Sequence, residues 1–416
     1  MYFSFGFHSS LLLIFFFHGL VYAFLLYRRS VKETRISDRW LAFFLLLCCL
    51  YIAPWMLGFG GWYDTQPYRD ILFYTPFQHL FLLGPVIFFY TQSLLNPSFR
   101  FSKKEWIHFL PAVMYIIFSA VMLITDKIVL KKYFFLADGE DPDFDWWYQY
   151  LGFISMLLYF TASLRYYNLY RKMIVQAVSY ADTVLFKWVK NFLMAFLAML
   201  MLKFLFEVAV FIPAFRKLSY AGSWWDYFSF ALIFYYMAIR GYSNSIETKV
   251  PFRLNLLNYK QALLLPVPAE RKSISLVAED IEPVEIIIDK NSDDHNISED
   301  AALLAKWKPL LLQLLEQEKI FENPELSLTG MARLLKTNPA IVSKVINQGF
   351  GLNFNDFINQ YRIEAVKQKL TASEHKIQTL LGIAFDCGFN SKATFNRAFK
   401  KAMSQSPKEW LEKHIQ

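Results

Sequence analysis

Two ionisable side chains interrupt a long apolar segment in the first half of the chain. Lys203 and Glu207 lie four residues apart within residues 186–212, so a helix would place them on one face. An unpaired charge at the centre of a bilayer costs about 3 kcal/mol or more, and such residues therefore pair or face a protein interior. The sequence leaves two interpretations open: a functional intramembrane ion site, and a neutralising pair that serves only packing.

The remaining reactive residues give little support for a metal site or a catalytic nucleophile. Cys48 and Cys49 are adjacent in an apolar run and Cys387 is distant, so we predict three buried free thiols. His18 and His79 lie within predicted helices, without the His-x-x-His or Glu-x-x-His spacing of a metal site. The sequence also lacks a catalytic triad, a paired-carboxylate arrangement and a Gly-rich phosphate loop. We therefore expect no metal, no cofactor and no enzymatic activity.

An acidic run at 138–145 lies in the longest connection between apolar segments, residues 126–146. Its carboxylates could bind a cation or a cationic ligand. They lack the fixed spacing and turn glycine of a calcium loop, so the sequence favours a solvated turn.

These groups lie within or between apolar segments. Of the 416 residues, 55% are hydrophobic and 19% are aromatic. That composition exceeds the needs of a globular core. Segments of about 20 mostly apolar residues can cross a bilayer. The candidates are 4–27, 40–59, 71–95, 106–125, 147–168, 186–212 and 224–243. They predict a seven-helix transmembrane domain at 1–243, with the lipid bilayer as its partner.

The orientation of this domain follows from the charges in its loops. The first segment has no positive n-region and no cleavage site, and Arg28 and Arg29 follow it, so we predict a retained helix. The first, third and fifth loops carry more Lys and Arg than the other three, which is typical of cytoplasmic loops. We predict a multi-pass protein of the bacterial inner membrane, with the N-terminus outside and the C-terminus in the cytoplasm.

Residues 244–300 differ in character from both flanking regions. Pro266 and Pro268 interrupt any periodicity, and acidic residues recur from Glu279 to Asp300. We predict a flexible acidic cytoplasmic linker. The apolar run at 284–288 has no visible partner strand, so a local contact is favoured over a sheet.

Residues 301–416 are net basic, as expected of a domain that approaches phosphates, and their pattern is helical. An amphipathic helix begins near Leu303, and a short helix follows at 326–335. Asn338 as N-cap and Pro339 at the first helical position predict a new helix at 339–347. Two short helices joined by a turn form a helix-turn-helix, whose second helix can lie in a major groove.

The same device recurs toward the C-terminus. A helix is predicted at 377–386, Gly388 can supply the positive φ of a turn, and Ser391 caps a helix that runs to about Met403. Between the two units, residues 355–370 form one amphipathic helix roughly 24 Å long. Such a spacer could hold two helices near the 34 Å repeat of successive major grooves.

Three segments resemble the DNA-binding domain of the AraC family: FNDFINQYRIEA at 354–365, IAFDCGFNS at 383–391 and FNRAFKK at 395–401. The resemblance covers about 325–411. It implies an all-α, two-lobed double helix-turn-helix domain at 301–416 that activates or represses transcription, often as a dimer. A seven-helix membrane domain joined to this module is similar to regulators found in Bacteroidetes.

The resemblance also implies which residues contact double-stranded promoter DNA. Arg397 is the expected principal base reader, because a bidentate contact with guanine gives about 1–3 kcal/mol of discrimination. Lys400 and Lys401 are expected to contact phosphates. The full set of implied DNA-binding residues is Ala340, Ser343, Lys344, Lys392, Ala393, Asn396, Arg397, Lys400 and Lys401.

Two further expectations concern packing in this domain. Ser404 replaces a glycine usual in the family after the last recognition helix, so that turn is expected to differ. Four aromatic residues are expected in the core: Phe385, Phe389, Phe395 and Phe399.

Two functions remain open. The first is a membrane-bound transcription regulator that senses an unidentified signal, with RNA polymerase and a second copy of the chain as candidate partners. The second is a transporter or ligand-binding membrane protein with an appended regulatory DNA-binding domain. Polar residues arranged along a pathway would favour the second function.

Overall fold

The computed structural model describes residues 5–96, 99–137, 139–179, 187–209, 220–243, 252–254, 261–264, 284–287 and 297–414. The chain forms two compact units. The first unit comprises Met1–Leu95, Phe99–Tyr167 and Lys187–Glu247. The second comprises Asn96–Ser98, Asn168–Phe186 and Thr248–Gln416, and so takes residues from three separate parts of the sequence.

Helices occupy each of the seven positions at which apolar segments were found. They are α1 (Phe7–Glu33), α2 (Ile36–Gly58), α3 (Tyr68–Tyr74), α4 (Leu80–Leu95), α5 (Leu110–Leu123), α6 (Trp146–Ala177), α7 (Lys187–Ala209) and α8 (Tyr220–Ser243). A 3-10 turn at Lys103–Phe109 precedes α5, and a π turn at Ile124–Val129 follows it.

Four of the described helical stretches are long and apolar enough to cross a membrane: Phe7–Glu33, Ile36–Gly58, Lys103–Val129 and Trp188–Ala209. Leu80–Leu95 is a shorter apolar helix. The expected seven crossings therefore stay a prediction.

The expected third span, 71–95, is wrong as a single helix. α3 ends at Tyr74 and α4 begins at Leu80. Pro76 lies in the break, and proline lacks an amide hydrogen and disfavours helical geometry in the residue before it. His79 therefore lies in the break, although the sequence predicted it inside a helix.

α2 has the largest buried share of the four helical stretches that are long enough to cross a membrane. It packs against α1, α4 and α8. In its most apolar window 72% of the residues are buried, against 28% in the windows of α1 and α7. The outer helices thus present apolar side chains such as Phe24, Ile117 and Leu205 on their exposed faces. Contiguous exposed apolar surface of this kind marks a contact with lipid or with another protein.

The expectation of a local contact at 284–288 is wrong, because this run pairs in a sheet. Strand β1 is Phe252–Leu254, β2 is Gln261–Leu264 and β3 is Val284–Ile287. All three strands pair antiparallel in the order β1-β2-β3, with Leu263 opposite Glu285. The partner strands lie far along the chain, and for this reason they were not visible in the local pattern.

The second unit contains α9 (Ile297–Glu316), α10 (Leu328–Leu334), α11 (Pro339–Phe350), α12 (Phe354–Thr371), α13 (Leu380–Asp386), α14 (Lys392–Met403) and α15 (Pro407–His414). α12 supplies Ile363, Val366 and Leu370 to a buried cluster that includes Phe399 and Trp410. Cys387 lies in the same cluster. All three cysteines are free and buried, as predicted.

Candidate nucleic-acid interface

The first helix-turn-helix consists of α10 and α11, and side-chain caps fix the start of both helices. Ser327 Oγ accepts a hydrogen bond from Gly330 N at 3.1 Å. Asn338 Oδ1 accepts one from Ala340 N at 2.7 Å, with Pro339 at the first helical position. The predicted Asn-Pro start of α11 is confirmed.

α11 is amphipathic: one side is buried, and the residues expected to contact DNA lie on the other side. Val342, Val345 and Ile346 are buried on one side and fix the rotation of the helix. The residues that the resemblance assigns to DNA on this helix are partly exposed: Ala340, Ser343 and Lys344.

The second helix-turn-helix consists of α13 and α14. Gly388 adopts a φ of +91° in the turn between them, as predicted. Ser391 Oγ accepts a hydrogen bond from Thr394 N at 3.2 Å, which confirms the predicted cap of α14. The predicted start of the preceding helix is wrong: α13 begins at Leu380, and Ile377 is 90% exposed.

α14 carries an exposed face with four cations and no carboxylate. Its opposite side buries Thr394, Phe395 and Phe399. The exposed residues are Lys392, Ala393, Asn396, Arg397, Lys400 and Lys401. A face with several cations and one amide can contact both phosphates and base edges.

Two packing expectations for this domain are wrong. Phe385 is 46% exposed, although Phe389, Phe395 and Phe399 are buried as expected. Ser404 follows α14 with a φ of +59°, and its amide donates to Lys400 O at 2.9 Å. The turn thus keeps the left-handed geometry that favours glycine, at a cost of about 1 kcal/mol.

Arg362, on α12, is a buried cation that the sequence analysis missed. It is 1% exposed, and burial lowers the pKa of its guanidinium to about 10. Nε donates to Phe321 O at 2.7 Å, and Nη2 donates to Asn323 O at 2.7 Å. The available signal was periodicity, since residues 358, 362 and 366 share one helical face. Arg362 thus ties α12 to the turn before α10.

Residues 168–179 also belong to the second unit, and we call them the docked segment. Val178 forms an antiparallel bridge with Ser327. The fully buried Ser179 donates from both its amide and its hydroxyl to Leu326 O, at 3.1 and 2.8 Å. No sequence pattern indicated this contact, because its partners are 147 residues apart.

Two side chains of α12 hold the end of the docked segment. Asn355 Nδ2 donates to Ser179 O at 2.7 Å. Arg362 Nη2 donates to Ser179 Oγ at 3.1 Å. A serine two residues beyond the end of α6 therefore completes a hydrogen-bond network in the interior of the second unit.

In the first unit, Lys203 has a closer partner than the predicted Glu207. Its Nζ lies 3.8 Å from the Glu207 carboxylate but donates to Gln149 Oε1 at 2.7 Å. Gln149 Nε2 donates in turn to Gln78 Oε1 at 2.8 Å. The structure thus places Lys203 in a buried polar chain. Uncharged glutamines on other segments gave no signal for it in the sequence.

The solvated turn favoured for 138–145 is wrong for two of its carboxylates. Asp143 is 2% exposed and accepts hydrogen bonds from Gln78 N at 2.8 Å and Tyr115 OH at 2.7 Å. Asp141 is also buried and accepts from Tyr63 OH at 2.8 Å. Burial, followed by the charge of Asp143, raises the pKa of Asp141 to about 7. These carboxylates serve as internal acceptors that organise the loop.

Comparison with known proteins covers the C-terminal part of the chain. Residues 331–413 match a family described as a helix-turn-helix domain. An uncharacterized HTH-type transcriptional regulator of Staphylococcus aureus is 31% identical over 98 residues, which are 24% of this chain and 13% of that protein. The HTH-type transcriptional regulator GlxA of Rhizobium meliloti is 35% identical over 100 residues, 24% of this chain and 30% of that protein.

The chain thus spans less than a third of the length of these relatives. A solved structure of a protein of unknown function from Listeria innocua is 24% identical, and the match covers 26% of this chain and 97% of that one with a TM-score of 0.23. The family match, the similar regulators and the paired capped helices agree on the nature of the C-terminal region. Residues 331–413 form an AraC-type helix-turn-helix domain.

Proposed function

We propose that this protein is a membrane-bound transcription regulator of the bacterial inner membrane. The first unit crosses the membrane in seven passes and senses a signal, and the second unit binds promoter DNA in the cytoplasm. The observation that carries the proposal is the exposed polar face of α14 in a helix-turn-helix domain, in a chain with apolar helices long enough to span a bilayer. A second copy of the chain and RNA polymerase are the proposed protein partners.

Within this proposal the residues of α14 have two roles, base reading and phosphate contact. Arg397 reads a guanine through two parallel hydrogen bonds. Lys400 and Lys401 contact phosphates, and Lys401 exchanges its ion pair with Asp356, 2.6 Å away, for one with DNA. On α11 the short side chain of Ala340 limits readout to van der Waals contact.

We predict that the full chain in lipid nanodiscs selects a sequence motif from a pool of promoter duplexes. Arg397→Ala should flatten the preference at one or two base pairs, whereas Lys401→Ala should weaken binding to all sequences alike. Selection followed by sequencing of the bound duplexes measures both effects. Absence of enrichment with the wild-type chain would contradict the proposed function, and equal effects of the two variants would contradict the role of Arg397.

The proposed topology has its own test. A reporter enzyme that is active only in the cytoplasm, fused after Gln416, should be active, because an odd number of crossings from an outside N-terminus leaves the C-terminus inside. A reporter active only in the periplasm, fused at the same position, serves as the control. The opposite pattern of activities would contradict the topology.

One observation favours the second candidate function, a transporter or ligand-binding membrane protein with a regulatory domain. The buried chain of Lys203, Gln149 and Gln78 is a polar feature of the kind that marks substrate pathways. Substrate uptake that depends on Lys203 in cells expressing the full chain would favour this function.

A further inference from the structure

The docked segment brings a residue from outside the helix-turn-helix domain next to its DNA-reading face. Its end is fixed by the bridge between Val178 and Ser327 and by the hydrogen bonds of Ser179. The preceding residues up to Ala177 are helical, so this anchor also fixes the position of Arg171, about two turns earlier.

Arg171 lines a cleft of about 380 Å³ within the second unit. The cleft is also lined by the side of α14 that carries Arg397 and Lys401. Asp356 and Asn359, in the first two turns of α12, complete the lining that matters here. The same side of α14 carries the expected base reader and one expected phosphate contact. The cleft is therefore part of the surface that DNA would approach.

The charges in this cleft are unbalanced. Three cations line it, against the single carboxylate of Asp356. One oxygen of that carboxylate, Oδ2, accepts from both Lys401 Nζ at 2.6 Å and Asn353 Nδ2 at 2.7 Å. Within the part of the chain that the structure describes, Arg171 makes no ion pair. An anion in the cleft would relieve the repulsion among the cations and give Arg171 a partner.

We infer that the cleft holds a backbone phosphate of bound DNA and that Arg171 contacts this phosphate. The inference rests on the proposed function. A guanidinium suits the task because it can bind phosphate through two hydrogen bonds, and the cleft is larger than a phosphate group. DNA binding and docking of residues 168–179 then stabilise each other, because the phosphate contact exists only while the segment is docked.

Arg171→Gln in the full chain tests the inference, with the DNA motif selected by the wild-type chain and nanodiscs of zwitterionic lipid. Each phosphate contact contributes about 0.9 to the slope of log affinity against log salt. The variant should bind several-fold more weakly at 50 mM salt, with a slope smaller by about 0.9. Arg171→Lys should recover most of the slope.

The matched control is Lys172→Gln, which removes the same charge from the neighbouring exposed residue outside the cleft lining. It should leave the slope nearly unchanged. An Arg171→Gln slope equal to that of wild type, or of Lys172→Gln, would overturn the inference, as would tighter binding by Arg171→Gln. If the wild-type chain bound no duplex at all, the proposed function itself would fail.

Two further arms identify the source of the phosphate. Inorganic phosphate should compete with DNA only at high concentration, and less for Arg171→Gln than for wild type. Nanodiscs with phosphatidylglycerol should leave the difference between the two proteins intact. A difference that appears only with the anionic lipid, or only with inorganic phosphate, would overturn the assignment to DNA.

Discussion

At Arg362 a full positive charge lies in the interior of a small helical domain. Its planar guanidinium donates to two main-chain carbonyls of the turn before α10 and to the hydroxyl of Ser179. Removal of the charge would leave Phe321 O and Ser179 Oγ without this donor, whereas Asn323 O would keep the hydrogen bond from Leu326 N at 3.2 Å. Each unsatisfied buried group costs roughly 1–3 kcal/mol. The hydrogen bonds thus offset the unfavourable burial of this charge and stabilise the local fold.

We predict that Arg362→Ala lowers the free energy of opening of α12 by about 3 kcal/mol, the sum of lost donors and lost packing. Hydrogen exchange of the α12 amides in the full chain measures this quantity. Arg333→Ala, at an exposed position of α10, is the control and should change it by less than about 0.5 kcal/mol. Similar exchange rates in both variants would mean that the Arg362 network is not a source of stability.

The buried polar contacts of single side chains were the least predictable feature from the sequence. Thiol burial and the caps at Asn338 and Ser391 could be predicted, because they depend on neighbours along the chain. The buried roles of Arg362 and Asp143 could not, because their partners are brought together only by the tertiary fold.

Among the elements, the turn between α13 and α14 is the most tightly constrained. Gly388 has a positive φ, and a Cβ there would collide with Phe321 O and lie 2.8 Å from the main chain of Glu322. Phe321 O is also the acceptor of Arg362 Nε. The turn that orients α14 therefore packs directly on the main chain that anchors α12.

Gly388→Ala should destabilise the second unit by about 2 kcal/mol or more, since it combines left-handed strain with a collision against backbone. Gly349→Ala is the matched control. Its added Cβ would lie 3.3 Å from Leu304 Cδ2 and 3.8 Å from Lys308 Cδ, both on flexible side chains of α9. Alanine is also a better helix former than glycine inside α11. Thermal unfolding of the full chain in detergent can be monitored by proteolytic cleavage of the second unit. The melting temperature should be lower for Gly388→Ala than for Gly349→Ala. Equal melting temperatures would contradict the steric argument.

Element positions were largely predictable, because periodicity and caps are local signals. The helices at 339–350 and 354–371 begin within one residue of their expected starts. The exceptions have tertiary or backbone causes: Pro76 divides the third apolar segment, and β3 finds its partner strand 20 residues or more upstream. The DNA-binding face itself was expected from a resemblance, and its contacts stay a prediction.

The second unit is assembled from distant parts of the sequence. A pair of cysteines can report this assembly. Val178→Cys with Ser327→Cys should form a disulfide, because residues paired across an antiparallel bridge have Cα atoms about 4.5–5.5 Å apart. The native cysteines are buried and should not compete.

Lys172→Cys with Ser327→Cys is the control for this pair. Lys172 precedes Val178 by six residues, a separation of roughly 9 Å along a helix, which is beyond the reach of a disulfide. Oxidation of membranes that contain the full chain, followed by mobility on non-reducing gels, measures both pairs. Equal cross-linking of the two pairs would contradict the docked arrangement.

Because the second unit is discontinuous in sequence, it constrains both the synthesis of the C-terminal domain and its release by proteolysis. Synthesis has to proceed past α7 and α8 before the residues that receive Ser179 exist, so docking follows the completion of most of the chain. A protease that cut between residues 244 and 300 would release a fragment without residues 168–179. That fragment would leave Ser327 without its bridge partner and Arg362 one acceptor short.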